Sequence, residues 1–168
     1  MKQKIIFIAV TVIVAVWGIS LVAAKIMVPE HNPPEHYAGM ILGTEADKIL
    51  VDSCFDCHSN QSNWPWYSYM PVVSALVAHD VEEGRKELNF SLWDKMTEQK
   101  RLKKMDKALE EVMGGEMPLT PYVWMHANAE ITPDKIAVLR AAAQEKLGLV
   151  VNEFADKDEE GDEDEDKD

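Results

Sequence analysis

The run Cys54-Phe-Asp-Cys57-His58 constrains this chain more than any other feature. It holds the only 2 cysteines of the chain, and Cys-x-x-Cys-His is the pattern through which a c-type haem is attached. Two thiols add to the vinyl groups of one porphyrin, and the next residue offers its imidazole to the iron. The spacing suits a single helical turn, which presents both sulfurs to one edge of a macrocycle and directs His58 at its centre. Once the group is tethered, ligation by His58 is intramolecular, so even a thinly cored domain can hold the iron. Other uses of the pentapeptide fit less well. A structural zinc site wants four Cys or His ligands, usually in closely spaced pairs, and the next histidine after His58 is His79. A thioredoxin-like dithiol sits between a strand and a helix, whereas Thr44 to Ser53 reads as a capped helix running into Cys54. A disulfide between residues three apart would be strained.

The N-terminus sets the compartment. Residues Ile5 to Ala24 carry no charge and are mostly Ile, Val, Ala and Phe. At about 1.5 Å per residue such a helix is roughly 30 Å long, enough to cross a bilayer. Lys2 and Lys4 precede it, which leaves the N-terminus cytoplasmic and everything after Lys25 outside. Val22 and Ala24 would suit a signal-peptidase site, but the apolar run is longer than a signal core usually is, which favours a retained anchor. Export under either reading agrees with haem attachment outside the cytoplasm.

Four segments follow from this reading: 1–25 as the anchor or signal, 26–43 as a proline-rich spacer, 44–149 as the haem domain, and 150–168 as an acidic tail. The formal net charge is -13. Residues Glu153 to Asp168 hold eleven acids and two lysines, so the tail alone carries -9. Such a self-repelling, low-complexity segment is expected to be disordered, serving solubility or the steering of a basic redox partner. A net negative chain without a basic patch argues against nucleic acid.

Within the domain every signal is helical. Thr44 with Asp47 suggests a capping box. Asn60 to Tyr69 reads as a loop broken by Pro65. Pro71 opens a helix bearing Val72, Val73, Leu76 and Val77, which ends near Gly84 or Asn89. A third helix spans about Asp94 to Met113, with Leu102, Met105, Leu109 and Val112 on one face and Gly114-Gly115 stopping it. Met117 to Pro121 is expected to be extended, because each proline disfavours helix in the residue before it. Thr132-Pro133 starts a last helix, with Ile136, Leu139 and Leu147 inward and Gly148 at its end. The expected fold is therefore all-α: a small cytochrome c-like helical domain around one covalent haem, behind an N-terminal transmembrane helix.

The iron's sixth ligand is the open chemical question. A methionine thioether opposite the histidine raises the reduction potential. Met117 is the best candidate, since it sits in a Met-Pro segment just after a glycine-terminated helix. Met105, Met113 and Met125 read as packing residues. His79 and His126 read as surface or hydrogen-bonded histidines, and His31 and His36 as solvated spacer residues. The aromatic run Asn63-Trp-Pro-Trp-Tyr-Ser-Tyr69 reads as the hydrophobic centre, with Trp64 and Trp66 walling the haem and their N–H groups free for a propionate. Arg85 or Lys86 are weaker propionate candidates.

Taken together, Asn32-Pro-Pro34, Cys54-Phe-Asp-Cys-His-Ser-Asn60, Asn63 to Tyr69, Asp80-Val-Glu-Glu-Gly-Arg85, Leu88-Asn-Phe90 and Gly115-Glu-Met-Pro118 resemble the bacterial haem-binding domain family. The resemblance covers about residues 29 to 147. It implies a small, membrane-anchored, monohaem c-type cytochrome-like protein facing the periplasm of the bacterial inner membrane; the acidic tail lies outside it. The functional expectation is a one-electron carrier, not an enzyme, with haem c on Cys54, Cys57, His58 and Met117, the membrane engaged through the N-terminal helix, and the redox partner unspecified. The alternative is a ligand-binding sensor or haem-storage module with an open sixth position. A peroxidase ranks last, because no distal His/Arg pair at defined spacing stands out.

Overall fold

A computed structural model describes residues 2–27, 32–34, 39–70 and 72–149. The acidic tail, most of the proline-rich segment with His31 and His36, and Pro71 lie outside the described residues. Among the described residues there are helices and turns and no strand.

Helix α1 (Lys2–Met27) contains the apolar run, and its Lys2–Val22 stretch is long and apolar enough to cross a membrane. None of that stretch is buried by the rest of the chain. Its far end packs on α4 (Val73–Glu87) and on a 3-10 turn at Trp66–Tyr69. Helix α2 (Thr44–Ser53) leads directly into the single turn α3 (Phe55–His58). Helix α5 (Glu98–Gly114) and α7 (Pro133–Leu147) pack on each other, and α2 packs on α7. A 3-10 segment, Phe90–Lys95, joins α4 to α5, and the short helix α6 (Thr120–Met125) lies between α5 and α7.

Periodicity explains the core. Met105 and Leu109 of α5 stand one helical turn apart and are fully buried against Leu139 and Ala143 of α7 and Ile49 and Leu50 of α2. Phe90 and Trp93 close the other side, with Phe55 stacked on Phe90 at 5.2 Å. Thr132 caps α7 by accepting from the Lys135 amide, and Gly148 ends it in the left-handed conformation at φ 68. Gly115, at φ 77, ends α5 in the same way.

Three local expectations are revised. The start of α2 is not a Thr44 capping box: Gly43 is the cap residue, and the Asp47 carboxylate reaches back to accept from the Ile41 and Leu42 amides at 2.8 and 2.7 Å. Asn32 to Pro34 is not free spacer. Asn32 donates to the Ser62 carbonyl at 2.8 Å and accepts from Arg85, while Asn60 donates to the Pro34 carbonyl at 2.8 Å. Met117 to Pro121 is not extended throughout, because Thr120 begins α6 with Pro121 in its first turn, where a missing amide proton costs nothing.

Candidate functional site

Cys54 is a joint between two helices. Its φ of -127 interrupts the helical path, yet its amide still bonds the Leu50 carbonyl at 2.8 Å and its own carbonyl accepts from Cys57 and His58. The four residues of α3 are too few to hold a helix by themselves, so outside contacts fix the turn. The Asp56 carboxylate accepts from the Asn63 backbone and side-chain amides at 2.9 and 3.1 Å and from the Tyr122 hydroxyl at 2.7 Å. The Ser59 hydroxyl donates to the Phe55 carbonyl at 2.8 Å.

Helix α4 lies closer to this turn than a side chain would permit. A Cβ on Gly84 would stand 2.8 Å from the Cys57 carbonyl oxygen and 3.1 Å from the Cys57 Cβ. That approach brings the end of α4 to His58, whose Nδ1 stands 3.0 Å from the Leu88 carbonyl oxygen. A carbonyl only accepts, so Nδ1 carries the proton and Nε2 is the ring atom left for a metal. Burial pushes the His58 pKa below its ordinary value, keeping the imidazole in its neutral, ligating form.

Cys54, Cys57 and His58 border a cavity of about 370 Å³, within the range of pockets that hold small molecules and cofactors. Leu50, Leu88, Phe90, Leu109 and Val112 make its walls largely apolar. Met117 and Pro118, joined by a cis peptide bond, border it from the far side of the sequence. The turn after α5 brings Met117 there, since the Glu116 and Met117 amides both bond back to the Glu111 carbonyl. Met105 also borders the cavity, from the buried face of α5.

Trp64 and Trp66 lie elsewhere. Pro65 has extended backbone (φ -71, ψ 167), and none of Trp64 to Tyr69 borders the cavity. Trp66 is 71 % exposed. Trp64 borders a second depression with Ile26 and Arg85, and its indole N–H is buried without a partner among the described residues. Arg85 spends its donors on the Ser59 carbonyl, the Ser62 hydroxyl and Asn32, at 2.8, 2.9 and 3.1 Å. Lys86 pairs with Glu82 and Glu83. His79 is exposed, and neither it nor His126 borders the cavity. Tyr122 does, and it is the residue that sequence reasoning passed over, because it falls in a stretch with no periodicity to place it. Gly84 did leave a signal: a glycine inside a helix costs about 1 kcal/mol relative to alanine, which points to a close approach.

The thiols differ from those of a redox dithiol. Burial, with a smaller contribution from Cys57, raises the Cys54 pKa to about 12. Burial first, then the charges of Asp56 and Asp80, raises Cys57 to about 11, against an opposing effect of Arg85. Reactive dithiols have a lowered pKa. No group of three or more His, Cys, Asp or Glu side chains converges as a metal site among the described residues.

The family described as haem-binding domain matches residues 18–145 of the chain. The chain belongs to the haem-binding domain family. No curated protein and no solved structure matches it. The residues present fit haem: two protonated thiols and a neutral, pre-oriented imidazole stand on one side of an apolar cavity, and a thioether borders it too. The match begins within α1 and takes in Asn32 to Pro34, in keeping with the bonds that tie those residues to Asn60, Ser62 and Arg85.

Proposed function

We propose that this haem-binding domain is a c-type cytochrome that transfers single electrons on the periplasmic side of the inner membrane, without catalysing turnover. In this reading Cys54 and Cys57 form the thioethers, His58 is the proximal ligand and Met117 the distal one. The observation that carries it is that all four border one apolar cavity, although two α-helices and two 3-10 segments separate Met117 from His58. Bound haem supplies a one-electron couple. The polypeptide does the rest. The Leu88 carbonyl fixes the His58 tautomer and ring orientation. The largely apolar walls from α2, α4 and α5 would surround the group with low-polarity side chains, and a thioether ligand would favour its reduced state. Helix α1 holds the domain at the membrane, with Lys2 and Lys4 on the cytoplasmic side.

The test is a visible spectrum of holoprotein matured with haem-attachment machinery, taken oxidised, reduced and under carbon monoxide, beside a haem stain after denaturing electrophoresis. Covalent haem at the mass of the chain, a low-spin reduced spectrum and little change with carbon monoxide are expected. Haem lost on denaturation would remove the thioethers from the proposal. Ready carbon monoxide binding would shift it to a sensor or storage role with an open sixth position.

A further inference from the structure

From Cys57 to His79 the chain has no Asp, Glu, Lys or Arg, although 28 % of its residues are charged. The middle of this stretch, expected inside the domain, is instead at its surface. Trp66 is 71 %, Val72 84 % and Leu76 56 % exposed, and Tyr69 and Met70 are exposed as well. In α4 the acids Asp80, Glu82, Glu83 and Glu87 all lie in the C-terminal half, so the first half is uncharged.

Helix α1 touches this same region. It packs on the Trp66–Tyr69 turn and on α4, and Ile26 shares with Trp64, Ala78 and Val81 a depression whose charged border is Glu82, Arg85 and Lys86. Among the described side chains of α1, Ser20 in the apolar run is partly covered, whereas Ile26 is itself 79 % exposed. The exposed aromatic and aliphatic side chains therefore adjoin the outer end of the segment that would cross the bilayer. Tryptophan and tyrosine with an apolar body and a polar tip are the residues that settle at that depth.

We propose that Trp66, Tyr69, Met70, Val72 and Leu76 form a second membrane contact, seated in the headgroup region of the bilayer that holds α1. The inference rests on the anchoring role given to α1 above. The occupant is lipid, because the patch is continuous with the membrane helix. The patch carries no charge to attract anionic headgroups, so the contact is apolar in character. It adds a second point of contact that fixes the orientation of the haem cavity relative to the membrane plane.

The experiment places the full-length holoprotein in phosphatidylcholine vesicles containing a photoactivatable diazirine lipid and maps lipid adducts by peptide mass spectrometry. Adducts are expected on α1 and on the segment 64–78, and not on the exposed face of α5 between Lys100 and Lys107. The double variant Val72→Asp with Leu76→Asp changes only exposed positions. It should lose at least tenfold of the adducts on 64–78 while keeping those on α1. Adducts on α1 alone in the wild type would overturn the second contact and leave the anchor standing. Absence of adducts on α1 would overturn the anchor, and the inference with it.

Discussion

Replacing Gly84 by alanine tests how the site is built. In most helices the change stabilises, by about 1 kcal/mol, because alanine loses less backbone freedom than glycine. Here the added Cβ meets the Cys57 carbonyl oxygen at 2.8 Å and its carbon at 3.1 Å. Both are backbone atoms of the turn α3, so no rotamer change relieves the contact and α4 must retreat. Overpacking of this kind costs about 1–3 kcal/mol, and an unyielding partner favours the upper half of that range. The net expectation is a loss of about 1–2 kcal/mol once the helix gain is subtracted. Gly114 supplies the control. It is also helical, but a Cβ there meets only the flexible Glu116 side chain at 4.0 Å, so Gly114→Ala should gain about 0.5 kcal/mol.

Urea unfolding of the detergent-solubilised holoprotein measures both. With a slope of about 2 kcal/mol per molar, the Gly84→Ala midpoint should fall by roughly 0.5–1 M and the Gly114→Ala midpoint should rise slightly. The retreat of α4 also carries Leu88 with it, since the Leu88 amide bonds the Gly84 carbonyl at 2.9 Å and its own carbonyl holds His58. Haem content per chain should therefore drop for Gly84→Ala alone. Equal or greater stability of Gly84→Ala than Gly114→Ala, at full haem content, would refute the close-approach argument.

Two methionines border the cavity, and Leu replacements separate them: Met117→Leu should convert the low-spin reduced spectrum to one that binds carbon monoxide, whereas Met105→Leu should leave the spectrum unchanged and cost under about 1.5 kcal/mol as a near-isosteric core swap. In helical apoprotein, with the Cys57 pKa raised from 9.0 to about 11, alkylation near pH 8 should run about 100-fold slower at Cys57 than in urea, and slower still at Cys54. Because both folded values are raised, the protonated thiols favour the fold fully below about pH 9, and that contribution fades as pH rises through 11 to 12, which a pH series of apoprotein unfolding midpoints measures. Arg85→Lys keeps the charge but cannot reproduce the three bonds to Ser59, Ser62 and Asn32; it should cost about 2 kcal/mol by urea unfolding, and a cycle with Asn32→Ala should show coupling of about 0.5–1 kcal/mol.

The parts that were legible in the sequence depend on local rules. The faces of α5 and α7 follow from a 3.6-residue period, and their ends follow from Gly115 and Gly148, which only need the left-handed conformation. The Cys-x-x-Cys-His run is a pentapeptide, so the chemistry proposed for it is suggested without reference to a fold. What was not legible depends on where chain directions lead. Nothing local says that the Trp64 to Tyr69 run passes outside the cavity, because an aromatic cluster has the same composition whether it faces a cofactor, a core or a surface. Arg85 looked free for a propionate for the same reason: its partners, Ser59, Ser62 and Asn32, are 23 to 53 residues away.

Those distant polar partners give the site its rigidity. The turn Phe55–His58 buries no side chain completely, and α3 alone could not persist. It is gripped instead from several directions. Asp56, one of the two residues between the cysteines, takes donors from Asn63 and from Tyr122 across 66 residues. Arg85 ties Ser59 to Asn32, and the Asn60 amide donates to the Ser91 hydroxyl at 2.8 Å within a buried network with Asn89. Each tie joins the turn, or the loop that follows it, to a different segment: α4, α6, the segment before α2, and the Phe90–Lys95 turn. A group with unsatisfied partners at any of these points would carry a penalty of about 1–3 kcal/mol, so the network favours one arrangement over near alternatives. The polypeptide itself therefore sets the positions of Cys54, Cys57 and His58. Reordering of this turn on haem attachment would contradict that argument, and hydrogen exchange of the Cys54 to Ser62 amides in apoprotein and holoprotein is the comparison that decides it.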